Sequence, residues 1–183
     1  MKTPRLMLLG AFALGLVATS EATAGSPIAL PSGNFSFAAE GTEAACSTGS
    51  CPVLNIIEIG SSLRDKSGNA CGTHTAVVNF LPPTGAAPTT ATITHVMQVN
   101  HYDPSTGTGD MSLTEYFGGS CNGTVFNNSS GGTQVVTGTL HFVVSNGGNR
   151  IDSIVTLLNV AGGAGGYSLK FKEMRQDNSA NAQ

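Results

Sequence analysis

Between residues 91 and 121 apolar and polar positions alternate with little interruption. Ile93, His95, Met97, Val99 and His101 share one face, whereas Thr92, Thr94, Gln98, Asn100 and Tyr102 take the other. Side chains of an extended chain point alternately to opposite faces, so the pattern predicts a half-buried strand. A second arm repeats it, with Met111, Leu113, Glu115 and Phe117 against Asp110, Ser112, Thr114 and Tyr116. The connection between the arms holds Pro104, Gly107 and Gly109, residues suited to a hairpin loop. Two histidines and one glutamate are therefore expected on the apolar side of a hairpin, with Glu115 across from His95 or one pair away.

The same reading predicts strands over 33–39, 53–63, 71–80, 91–102, 110–117, 123–126, 133–145, 150–160 and 167–174, separated by Gly-, Pro- and Asn-rich turns. Around the turn at 146–149, pairing Ser145 with Arg150 sets Val144 opposite Ile151, Leu140 opposite Val155 and Gly138 opposite Leu157, with Thr139 opposite Thr156 on the other face. Phe35 and Phe37 give the first strand one apolar face, and Tyr167, Leu169 and Phe171 do so for the last. A meander with such terminal strands can close on itself and remove its edges. The predicted fold class is all-β: a single antiparallel meander β-barrel of about eight or nine strands, with an open β-sandwich as the alternative.

The first 24 residues break this pattern. Lys2 and Arg5 precede an apolar run over 6–18 and a small-residue site at Ala22-Thr23-Ala24, the layout of a secretory signal peptide. The barrel domain is then expected over 25–174, and 175–183, without a large apolar residue, as a disordered tail. No later run approaches the roughly 18 apolar residues of a membrane helix, so a soluble periplasmic or secreted protein with no membrane span is expected. Charged residues are 10% of the chain, the formal net charge is −3, and basic residues are scattered, which argues against nucleic acid as a partner.

All four cysteines lie in the exported part, where an even count points to disulfides. Cys46 and Cys51 flank a short flexible loop and are expected to pair, leaving Cys71 for Cys121. A zinc site fits poorly, because Cys46 and Cys51 have no second close pair of cysteines. Asp103 and Asp110 bracket a Gly-containing loop, but their spacing is not that of an EF-hand and Pro104 already accounts for a turn. No metal and no cofactor is assigned from the sequence.

The succession of a signal peptide, Gly33-Asn34-Phe35-Ser36-Phe37, a long meander, Leu113-Thr114-Glu115-Tyr116 and Ser120-Cys121-Asn122-Gly123-Thr124 resembles small secreted bacterial β-barrel proteins of lipocalin-like or allene-oxide-cyclase-like layout. The chain has no tryptophan, and so lacks the Gly-x-Trp of true lipocalins. The resemblance implies a barrel and assigns no activity.

Three functions follow as expectations. The first is an exported barrel binding a small apolar molecule in its interior, with His95, His101, Glu115, Met97 and Leu113 as ligand-binding residues. The second is a structural or surface-associated secreted protein with an exposed apolar patch and no ligand. The third is an enzyme using His95 with Glu115 as an acid/base pair. No catalytic residue is assigned, and the oligomeric state is left open.

Overall fold

A computed structural model describes residues 26–44, 53–81, 86–160 and 167–176. Ten strands follow in order: β1 (Gly33–Ala44), β2 (Val53–Arg64), β3 (Ala70–Phe80), β4 (Thr89–Asp103), β5 (Thr108–Phe117), β6 (Ser120–Asn122), β7 (Val125–Asn127), β8 (Thr133–Ser145), β9 (Arg150–Val160) and β10 (Tyr167–Arg175). Eight of them close an antiparallel barrel in the order β1-β10-β9-β8-β5-β4-β3-β2. The expected all-β meander barrel is the fold observed. Closure falls on β1, where Phe37 lies opposite Gly60 of β2 on one side and Glu173 of β10 on the other.

The stretch expected as one strand at 123–126 is instead a small hairpin, β6 and β7, turning at Gly123 (φ 64°). It packs outside the barrel, where Phe126 stacks on Tyr116 at 3.9 Å between ring centroids. Cys71 of β3 joins Cys121 of β6 with their Cα atoms 5.7 Å apart. This cover explains why Cys71 and Thr94 are buried on faces that alternation turns outward. The expected Cys46–Cys51 bond falls outside the described residues.

The hairpin between β8 and β9 keeps the expected register from Ser145–Arg150 to Leu140–Val155. Beyond that pair it shifts by one, so Thr139 faces Leu157 and Gly138 faces Leu158. The bulge turns Leu157 out of the barrel and Leu158 in, correcting the pairing of Gly138 with Leu157 and of Thr139 with Thr156.

Residues 26–32 close one end of the barrel. The Ile28 amide donates to the Pro104 carbonyl and the Tyr102 hydroxyl to the Ile28 carbonyl, each at 2.8 Å. Ile28 and Leu30 pack against a core that includes Phe35, Met97, Met111, Leu140, Phe142 and Ile151. The strands thus share one apolar interior, capped at this end by the chain itself.

The Cys71–Cys121 bond spans a sequence separation of 50, a loop whose closure restricts the unfolded chain by about 4 kcal/mol. Replacing both cysteines by alanine should lower the urea-unfolding free energy by up to that amount while leaving the barrel's far-ultraviolet spectrum unchanged. A loss well under 1 kcal/mol would show that the outer hairpin adds nothing to the fold.

Candidate functional site

Four titratable side chains meet in the apolar interior, each from an inward-facing row of one strand: Glu58 of β2, His74 of β3, His95 of β4 and Glu115 of β5. His95 stands directly opposite Glu115, as the alternation predicts. His74 fits alongside because β2 and its own strand β3 carry glycines facing these rings. Gly60 lies opposite both Phe37 and His74, and without a side chain there the two rings approach to 5.1 Å across β2. A Cβ at Gly60 would sit 2.6 Å from the Cβ of His74 and 2.1 Å from the Thr73 carbonyl oxygen. Gly72, opposite His95, plays the same part: a Cβ there would lie 2.8 Å from Cε1 of that imidazole. Phe37 also stacks on His95 at 4.9 Å, so both imidazoles are held between aromatic packing and bare backbone.

The Nδ1 atoms of His74 and His95 are 3.0 Å apart and share one hydrogen bond. Nε2 of His74 points between the two carboxyl groups, 3.7 Å from Oε2 of Glu58 and 3.9 Å from Oε1 of Glu115. Neither separation is a hydrogen bond. Glu58 Oε2, His74 Nε2 and His95 Nε2 are all buried without a partner. The tautomers sharpen the problem. If His74 donates through Nδ1, its Nε2 lone pair faces carboxyl oxygens; if His95 donates, the His74 Nε2 proton lies too far from either oxygen to bond.

Burial sets the protonation of the cluster. It pushes the Glu58 carboxyl up to about 7, with the charge of Glu43 adding to the effect. Glu115 is raised well above the ordinary carboxylate range by burial, then by Glu58 and Glu43. Both imidazoles are lowered to about 3 by burial, reinforced at His74 by His95 and at His95 by the Arg64 guanidinium. At neutral pH the histidines are therefore uncharged, and each can present a lone pair.

Nearer the capped end lies a second buried polar group of different character. Nε of Arg64 donates to Oε2 of Glu173 at 2.9 Å, Nη2 donates to Oε1, and the Ser62 hydroxyl donates to Oε2 at 3.2 Å. Nη1 reaches the Gly68 carbonyl and Nη2 the sulfur of Met97. This pair is closed on itself.

Of the residues expected to bind a ligand, His95, Glu115, Met97 and Leu113 are buried inside, Met97 directly opposite Leu113. His101 is not among them. A register shift between Val99 and His101 turns its side chain to solvent and sets it opposite Asp110. Asp110 is hydrogen-bonded to His141 at 2.9 Å, while Asp103 accepts the amide and hydroxyl of Ser105 within its own loop. Glu58 and His74 were not foreseen. Glu58 does fall on the alternating face of Leu54 and Ile56, a signal that was there to read, whereas His74 sits among small residues whose two faces look alike.

On the outer wall a groove of about 600 Å³ crosses β2, β1, β10, β9 and β8. Ala38, Ile57, Val143 and Ile154 line it, with Lys170 and Lys172 among them and Glu40, Asp152 and His141 beside them.

The molecule is thus a closed antiparallel barrel with a buried histidine and glutamate centre and an apolar groove on its wall. No family model matches the sequence, and neither a curated protein nor a solved structure is similar to it at a significant level. Among the described residues no helix is long and apolar enough to cross a membrane.

The four central groups give stability a definite pH dependence. Glu58 and Glu115 hold a proton more tightly in the fold than in the open chain, so their contribution is lost as pH rises above 4.5, for Glu58 through about 7. His74 and His95 hold one less tightly, so theirs is lost as pH falls from 6.5 toward 3. The two trends oppose each other between 4.5 and 6.5, and stability should decline on either side. Melting temperature followed against pH should show this, with Glu58→Gln flattening the decline above 6.5 and sparing the acid side. An alkaline decline of unchanged slope in that variant would contradict the assignment.

Proposed function

We propose that the protein is an exported binding barrel for a small, mainly apolar molecule, taken up in the groove of the outer wall. The observation that carries this reading is the groove itself, whose volume of about 600 Å³ is that of a small-molecule site. Its floor is apolar through Ala38, Ile57, Val143 and Ile154, and Ile57 and Ile154 are about half exposed. Lys172 gives it a cationic point: its neighbour across the strands, Asp152, is already bonded to Arg150 at 2.6 Å. The best-matched ligand is an amphiphile with an apolar body and one anionic head. The signal-like first residues, the Cys71–Cys121 bond and the lipocalin-like layout support a periplasmic or secreted setting.

A second reading rests on the same surface. Ile57, Ile59, Ile154 and Leu157 are large apolar side chains left open to solvent, as expected of a face that meets another protein. A fluorescent fatty acid titrated into the purified chain separates the two. On the ligand reading it binds saturably, Ile154→Asp weakens it roughly tenfold or more, and Lys172→Glu weakens anionic probes but not their alcohols. Failure to bind the probe, together with a dimer in sedimentation that Ile154→Asp dissociates, would replace the ligand by a second protein.

A further inference from the structure

Glu58, His74 and Glu115 offer one ligand atom each, and these atoms lie within 4.8 Å of one another in the buried interior. We propose that they form a binding site for a single divalent transition-metal ion, held by one imidazole nitrogen and two carboxylate oxygens. This rests on the interior cluster and is independent of the groove.

The chemistry of the three atoms points that way. The side chain of His74 is fully buried, its Nε2 has no hydrogen-bond partner, and it is aimed between the two carboxyl groups. Oε2 of Glu58 is likewise buried and unpartnered. A cation at their centre satisfies all three at once, since each presents a lone pair. The charges close as well: two carboxylates around a divalent ion make a neutral unit, which a dry interior accepts far more readily than separate charges. Metal–ligand distances of ~2.0–2.2 Å require these atoms to draw together by a few tenths of an ångström, within reach of small torsional changes in two glutamate side chains. One nitrogen with two oxygens and no thiolate suits Zn²⁺, Mn²⁺ or Fe²⁺, whereas Mg²⁺ and Ca²⁺ favour oxygen alone. Three protein donors leave at least one coordination position for water or a small ligand.

The surroundings are those of a metal-binding histidine. Such a residue gives its second ring N–H to an acceptor that fixes its tautomer and orientation. Nδ1 of His95, 3.0 Å from Nδ1 of His74, is that acceptor, and Phe37 packs against both rings. His95 is thus a positioning residue. Glu43, half-buried on β1 toward the end of the barrel away from Ile28 and Leu30, adds a carboxylate whose charge acts on both Glu58 and Glu115.

The test uses the untagged full chain, stripped with a chelator and titrated with Co²⁺. One equivalent should bind with visible d–d absorption, be displaced by Zn²⁺, and raise the melting temperature. Glu58→Gln and Glu115→Gln should each weaken binding about 100-fold or more, and His95→Gln by about 10–100-fold, as removal of an outer-shell partner does. Should the glutamine variants fail to fold, pulsed EPR of the Mn²⁺-loaded wild type takes their place and must show coupling to one imidazole nitrogen. The proposal is overturned if neither Co²⁺ nor Mn²⁺ binds, or if the bound ion shows no nitrogen coupling. It is overturned equally if both folded glutamine variants bind as tightly as wild type, which would place the ion elsewhere, for instance at the exposed His141–Asp110 pair.

Discussion

Closure of the hydrogen-bond ladder at β1 is the constraint on which the rest of the structure depends. Because β1 is paired along both sides, the eight strands leave no edge, and the inward row of every strand faces a common apolar interior. Residues 26–32 seal one end, with Ile28 bonded to Pro104 and Tyr102. Inside such an enclosure a polar side chain has little water to turn to, so each must find its partner among the other inward groups or bear the cost of lacking one. The hydrophobic alternation that builds the barrel is therefore also what raises the carboxyl groups of Glu58 and Glu115 and silences the charge of both histidines.

Small residues determine which polar groups meet. Gly60 and Gly72 stand at positions of close approach, where a Cβ would run into the backbone of the neighbouring strand and into His74 or His95. Their missing side chains bring Phe37, His74 and His95 into mutual contact across two intervening positions. Outside the wall, the β6–β7 hairpin and its disulfide cover Cys71, on the strand that carries Gly72 and His74. The centre is thus braced from within by aromatic packing and from without by a covalent tie.

Much of this was legible in the sequence, for one physical reason: a two-residue side-chain period read along a strand survives errors of register. The positions of the barrel strands and the shared inward face of His95 and Glu115 follow from it, whereas 123–126 proved to be part of an outer hairpin. Bulges are where it fails, because one extra residue reverses inside and outside for everything beyond. Asn100 puts His101 on the surface in this way, and Thr156 exchanges Leu157 for Leu158, and neither residue type announces a bulge. His74 escaped for another reason. Its face carries Ala70, Gly72 and Ala76, and a row of small residues opposite threonines does not say which side is buried.

The two buried polar groups of the interior offer a comparison that neither gives alone. Arg64 and Glu173 show what this barrel does when a charge is needed only for architecture: both carboxylate oxygens are engaged, and the guanidinium also reaches a carbonyl, a thioether sulfur and the face of Phe35. The same fold, one layer away, leaves Nε2 of His74, Nε2 of His95 and Oε2 of Glu58 buried with nothing to bond. Three orphaned atoms in one place carry a penalty of about 1–3 kcal/mol each, and apolar residues of similar shape would remove it. A sequence that closes one polar group so completely has the means to close the other. Two of the open valences at the second centre, Nε2 of His74 and Oε2 of Glu58, meet in the space between an imidazole and two carboxyl groups, and a metal ion bound there accounts for them where the packing of a core does not.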